Sequence, residues 1–329
     1  MNKELNKNKY KEIMSKYGIL FVLIGMVIAL SIFRPSVFLT STNILNILTQ
    51  SSIYGILALG VTFVIISKGI DISVGSVLAF SGVVMASLAQ VSSAHKFFLN
   101  LPNLPIIIPL IAALLIGFLL GAVNGGLIAF TGIPAFIATL GMLTVARGMA
   151  LVYTSGKPIS SLKPGILFFG GGIGIIPVPV LVFALLAVIS YILLNYTRFG
   201  KSVYAIGANI KAAEVSGVSV KRNLVFIYGY CGLAAGIAAI VFAGRTGSVH
   251  PGAATGYELT AIAATTIGGT SHAGGIGTIG GCVVGALIIG VLRNGLTLMS
   301  VDAYWQQIIE GCIIVIAVVI DMRKNNKKK

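Results

Sequence analysis

"LPIIIPLIAALLIGFLLGAVNGGLIAF" occupies residues 104–130 and carries no charged residue. About 20 apolar residues in a helix cross the hydrocarbon core of a bilayer. This run is long enough, and Asn124 is its one strongly polar side chain. Gly117, Gly121 and Gly125 recur every fourth residue, so one face of the helix is flat enough for another backbone to approach closely. Similar runs lie at about 17–33, 43–67, 71–92, 134–154, 176–196, 223–243, 256–270, 276–298 and 303–321. The sequence therefore predicts an all-α, polytopic membrane protein with about ten transmembrane segments.

Three of the ten are weaker. Segments 43–67 and 71–92 are separated only by Lys68-Gly69-Ile70, and 256–270 is short and ends in Gly268-Gly269-Thr270. Each is a candidate for a broken or re-entrant helix. The composition agrees with a membrane domain: 57% of residues are hydrophobic and 9% charged, against about 25% charged in a soluble domain.

The 23 basic residues fix a direction. With the N-terminus in the cytoplasm, ten crossings place sixteen Lys and Arg inside, five outside (Arg34, Lys96, Lys157, Lys163, Arg245) and two, Arg147 and Arg293, within spans. That asymmetry follows the positive-inside tendency. It predicts a basic cytoplasmic segment at 1–16, a single transmembrane domain at 17–321, a cytoplasmic loop at about 197–222 and a basic cytoplasmic tail at 322–329. The first apolar run ends in Phe33-Arg34-Pro35 rather than at a small-residue cleavage site, so it reads as an uncleaved span. The net charge of +15 is concentrated at the ends and in that loop, which excludes a nucleic-acid surface of the basic, aromatic kind.

Within the loop, "GANIKAAEVSGVSVKR" (207–222) contains a short polar helix. Asn209 suits an N-cap and Gly217 the residue that ends a helix. Ala212, Ala213 and Ser216 are spaced to share a face. Two turns do not persist alone in water, so this small face rests either on the membrane domain or in a groove of a cytosolic partner.

The stretch resembles the coupling-helix segment of ATP-binding-cassette importer permeases, whose Glu-Ala-Ala-x-x-x-Gly core docks onto the ATPase. Ala212-Ala213-Glu214-Val215-Ser216-Gly217 matches its Ala-Ala-x-x-x-Gly part, and Lys211 stands in place of the Glu. "GIDISVGS" (69–76), "PAFIATLGMLTVARGMALVYTSGKPI" (134–159), "TRFGKSVYAIGAN" (197–209), "GYELTAIAATTIGGTSHAGGIGTIGG" (256–281) and "GLTLMSVDAYWQQIIEG" (295–311) are similar to the branch serving ribose, galactose and related simple sugars. The resemblance implies a plasma-membrane permease subunit that provides a sugar path by alternating access. It implies three partners: a cytoplasmic ATPase, an extracytoplasmic sugar-binding protein and a second permease subunit in a homodimer. The chain has no G-x-x-x-x-G-K-[ST] phosphate loop. ATP is thus expected on the partner, with no cofactor, metal or catalytic group on this chain.

Polar residues in apolar surroundings are the candidate path: Asp71, Ser73, Asn124, Arg147, Arg293 and Asn294. Asp71 has a structural reading as a helix cap, and Asn124, Arg147, Arg293 and Asn294 have one as interhelical hydrogen bonds or snorkelling to the interface. Glu258 follows Thr255 with capping-box spacing, and lies where contact with the binding protein is also open. Glu310, with Gln306 and Gln307 one turn earlier, reads as a polar pairing inside the bundle; it is also the carboxylate that an ion-coupled secondary transporter, the rival reading, would use. Gly275–Gly280 spells GxGxxG without the strand a dinucleotide site requires. Cys231, Cys282 and Cys312 read as buried packing residues, and His95, His250 and His272 have no ligand or triad spacing.

Overall fold

The computed structural model describes residues 2–91 and 96–326; His95 and Lys327–Lys329 lie outside them. The helices in chain order are α1 (Asn2–Phe33), α2 (Ser41–Ile66), α3 (Val74–Leu88), α4 (Ile107–Thr131), α5 (Ala135–Thr154), α6 (Pro164–Leu167), α7 (Val178–Tyr196), α8 (Arg198–Ala208), α9 (Ile210–Val215), α10 (Val220–Thr246), α11 (Tyr257–Ile267), α12 (Ile279–Leu298) and α13 (Ala303–Asn326). Strand pairing among the described residues amounts to a hairpin of Gly172–Ile173 with Ile176–Pro177 and two isolated bridges.

Every expected apolar segment forms a helix, but their lengths differ. Among the described residues, seven helices are long and apolar enough to cross a membrane: α2, α4, α5, α7, α10, α12 and α13. The apolar part of α1, Gly18–Phe33, and α3 are shorter, and α11 has only 11 residues. The shortening of α3 and α11 has a local cause. Non-helical backbone runs over residues 69–73 before α3 and through turns at 247–256 before α11.

The core is built around α2. Its residues from Ser51 to Ile66 are all buried, as expected for a helix apolar around its whole circumference. α4 and α10 pack backbone to backbone. A Cβ at Gly121 would collide with the Tyr228 carbonyl, one at Gly117 with the Gly232 carbonyl, and one at Gly125 with the backbone of Leu224 and Val225. The outer faces of α4, α5 and α7 carry exposed Leu115, Leu119, Phe136, Ile137, Leu185 and Val188, an apolar belt suited to lipid. Cys231 and Cys282 are buried, whereas Cys312 is exposed on α13, because that helix packs on the bundle along one side only.

The connections gather at two ends. At one, Gly275 N donates to Ile66 O at 2.8 Å, the Tyr204 hydroxyl donates to Gly277 O at 2.7 Å, and Asp321 accepts from the Ser271 hydroxyl at 3.1 Å. This end therefore joins α8 to the loops after α2 and α11 and to the end of α13. At the other, Ile159 pairs with Val249, Gln90 with Leu162, and the Lys163 ammonium donates to Leu104 O at 2.6 Å. These are the two sets of loops that a ten-crossing count assigns to opposite sides.

The α4–α10 seam has a direct test. Gly121→Val should destabilise the purified protein by about 1–3 kcal/mol through overpacking. Gly126→Val, one position on and with open space around its Cα, should shift the melting temperature far less.

Candidate functional site: a polar cleft and an exposed short helix

The irregular stretches before α3 and α11 occur inside the bundle, where unpaired backbone polar groups are costly. Two sequence candidates, Asp71 and Arg147, bond to them, and Ser73 and Asn124 brace Asp71 through their side chains. Asp71 accepts from Ser73 N at 2.8 Å and from the Ser73 hydroxyl at 2.6 Å, and Asn124 Nδ2 donates to Ser73 Oγ at 3.0 Å. Asp71, Ser73 and Asn124 are all fully buried. Asp71 thus forms a turn ahead of the helix rather than capping it; the N-cap is Ser73, whose side chain makes no capping bond. Arg147 on α5 donates through Nη1 to Pro251 O and Ala253 O, both at 2.7 Å, and holds the loop that leads into α11.

Glu258 departs from the expected capping box. Gly256, in the left-handed conformation at φ 85°, is the N-cap of α11. Thr255 turns back to Gly252 O. Glu258 Oε1 accepts from Gly256 N at 3.1 Å, while its Oε2 is buried without a hydrogen-bond partner and lies against Gly75 in the first turn of α3. An anion there is favoured by the α3 dipole. The starts of the two short helices therefore meet through one carboxylate.

Arg293 and Asn294 are neighbours in sequence but serve different places. Asn294 exchanges two hydrogen bonds with Asn43 at the start of α2, at 2.7 and 3.1 Å. Arg293 is the hub of a second cluster. Its Nη2 donates to Glu310 Oε2 at 2.6 Å and to Thr260 Oγ1 at 3.0 Å, its Nε pairs with Glu310 Oε1, and its Nη1 donates to the Tyr54 hydroxyl. The guanidinium lies 4.6 Å from the Tyr54 ring centroid, and Tyr54 meets Tyr257 edge-on at 4.7 Å. One cation thus ties together α2, α11, α12 and α13. Beside it a cleft of about 440 Å³ is lined by Tyr257, Arg293, Gln306, Gln307 and Glu310, among others. The pairing expected for Glu310 is present, with Arg293 as partner. Tyr54, Tyr257 and Thr260 are the residues around Arg293 that sequence reasoning missed, Tyr257 alone of them lining the cleft; the Tyr and Thr of "GYELT" were visible, but their convergence on Arg293 depends on where α11 breaks.

The 207–222 stretch folds as its caps require. Asn209 Oδ1 accepts from Ala212 N at 3.1 Å, and Gly217 follows α9 at φ 82°. The expected common face does not hold. Ala213 is 4% exposed and belongs to the core, whereas Ala212 and Ser216 face outward beside Val215, which is 91% exposed. A six-residue helix has room for both arrangements: Ala213 seats it on the bundle, and the opposite side is free. At the same end, burial moves the His272 imidazole below its usual range, with Asp321 opposing.

Short helices meeting inside a bundle, a polar cleft beside them and apolar outer faces are the construction of a multi-pass membrane transport permease. The chain belongs to the family described as branched-chain amino acid transport system / permease component, whose model matches residues 43–318. It is 41% identical to the ribose import permease protein RbsC of Escherichia coli K12 over 310 residues, covering 93% of this chain and 92% of the relative. It is 42% identical to RbsC of Bacillus subtilis 168 over 325 residues, 98% and 97%. To the galactose/methyl galactoside import permease protein MglC of Haemophilus influenzae it is 39% identical over 337 residues, 99% of each. No solved structure matches the chain.

The ion pair yields a clear contrast. Glu310→Ala should leave Arg293 without its carboxylate and cost about 3 kcal/mol, the lower end for a buried pair. Arg293→Met/Glu310→Leu together should cost less than Glu310→Ala alone, as read by thermal unfolding in detergent.

Proposed function

We propose that this chain is the permease subunit of an ATP-driven importer for a simple sugar, multi-pass in the inner (plasma) membrane. The observation that carries the reading is α9: a capped two-turn helix, seated by Ala213 and presenting Ala212, Val215 and Ser216 outward. It fits a partner that pushes on it, and a cytoplasmic ATP-binding-cassette ATPase is that partner. ATP is used there, with no cofactor on this chain. Ten crossings with both termini in the cytoplasm account for the sorting of loops between two ends and for the basic residues of the α8–α9 end.

The cleft at Arg293 is our assignment for part of the sugar path. Sugars need several donors and acceptors beside an aromatic face, and Gln306, Gln307, Tyr257 and Glu310 provide them. Asp71, Ser73, Asn124 and Arg147 support the backbone around that path. With Arg293 already neutralised by Glu310, a neutral hydroxylated solute suits the cleft better than a zwitterion. The same pairing argues against ion coupling through a free Glu310. A second copy of the chain completes the path beside α13, and an extracytoplasmic binding protein delivers sugar to the opposite end, where we keep Glu258 as a candidate responder.

A contact route links the two sites. α9 adjoins α8, Tyr204 of α8 bonds to the loop after α11, and α11 carries Tyr257, which lines the cleft, and Thr260, which accepts from Arg293. Displacement of α9 by the ATPase would thereby reach the cleft.

Ala212→Arg and Val215→Arg should insert and fold normally, yet lower both sugar uptake and co-purification of the ATPase by about tenfold or more. Wild-type values for both variants would remove the coupling assignment. Ala213→Arg, by contrast, should lower the amount of folded protein. Topology has its own check. With Cys312 replaced by serine, Lys157→Cys and Lys211→Cys should label from opposite faces of the membrane; labelling of both from outside would contradict ten crossings.

A further inference from the structure

A second cavity, of about 840 Å³, opens at the α8–α9 end between α4, α7, α8 and α10. It is separate from the polar cleft. Its wall is apolar, with Phe118, Phe199 and Leu233, and its rim carries Arg198, Arg222 and Ser202. Both arginines are exposed, and neither has a carboxylate partner among the described residues. The Arg222 guanidinium lies 5.6 Å from the centroid of Phe226, a ring 43% exposed on the same rim. An adjoining groove shares Arg222 and Phe226 and adds Lys221, whose ammonium lies 5.7 Å from the Phe130 centroid. The apolar wall lies among spanning helices, while the charges lie at their ends.

We propose that this cavity binds an anionic phospholipid, with an acyl chain against Phe118, Phe199 and Leu233 and the phosphate between Arg198 and Arg222. Guanidinium groups bind phosphate oxygens in pairs, and basic pockets between spanning helices recognise anionic headgroups. A soluble anion would have no use for the aromatic wall, and a zwitterionic lipid would leave the rim uncompensated. The lipid would also touch Gly217, Val218 and Ser219, the joint between α9 and α10, and so hold the coupling helix in its seat. The assignment rests on the chain spanning a membrane and does not depend on the solute carried.

The test uses the full chain purified in detergent, followed by thermal unfolding with added phosphatidylglycerol, phosphatidylcholine or glycerol phosphate. Phosphatidylglycerol should raise the melting temperature by about 2–5 °C, with phosphatidylcholine and glycerol phosphate giving less than half of that. Arg198→Gln/Arg222→Gln should keep the phosphatidylcholine value and lose the phosphatidylglycerol increment. Equal shifts with both lipids, an undiminished increment in the double variant, or a full shift from glycerol phosphate would each overturn the proposal. If the double variant does not purify as a single species, Ser202→Glu, which places a carboxylate on the rim, should abolish the increment in its place. Native mass spectrometry of the wild-type chain gives a reading free of variants: preferential retention of phosphatidylglycerol supports the site, and equal retention of both lipids rejects it.

Discussion

Irregular backbone inside a bilayer must be enclosed by protein, and most of this molecule follows from that constraint. α3 and α11 each begin after a non-helical stretch, and each stretch leaves carbonyls and amides that hydrocarbon cannot satisfy. Three charged side chains in apolar segments are spent on them: Arg147 on the carbonyls of Pro251 and Ala253, Asp71 on the amide of Ser73, Glu258 on the amide of Gly256. The buried length of α2 from Ser51 to Ile66 and the tight α4–α10 pair then keep lipid away from these groups. What remains for function is the polarity that this enclosure does not consume, chiefly the cluster around Arg293.

That division gives the molecule two parts with different mechanical character. The seam of α4 and α10 leaves little freedom, because at Gly117, Gly121 and Gly125 backbone meets backbone. The α11–α13 side is looser, and its polar cluster is held by one cation contacting three other helices. In the coupling proposed above, a push at α9 would have a route through Tyr204 of α8 to the loop after α11, beside its direct joint to α10.

Much of this was legible in the sequence, for reasons that can be named. Apolar length identified ten of the described helices but not α6 or α8, and the three segments singled out as short or weakly separated include α3 and α11, because Gly69 precedes the one and Gly268–Gly269 ends the other visibly. The caps of α9 were legible because Asn209 and Gly217 act on neighbours within three residues. The direction of Ala213 was not, since a two-turn helix carries too few residues to show which side is buried. Asp71 and Glu258 were read as caps from local spacing, but their bonds depend on where the backbone leaves the helix. The Arg293 cluster was invisible for another reason: Tyr54 and Glu310 lie hundreds of residues apart, and only the packing of α2 against α12 brings them together.

The glycine seam has a consequence for heredity. Every single-base change to a glycine codon that alters the residue adds at least one heavy atom, and at Gly117, Gly121 and Gly232 that atom meets a carbonyl of the facing helix. Lipid-facing positions such as Leu119 or Val188 can drift among apolar residues at little cost. The seam offers chance mutation no such neutral neighbours. In a population of descendants, these positions would hold still while the lipid-facing surface wanders.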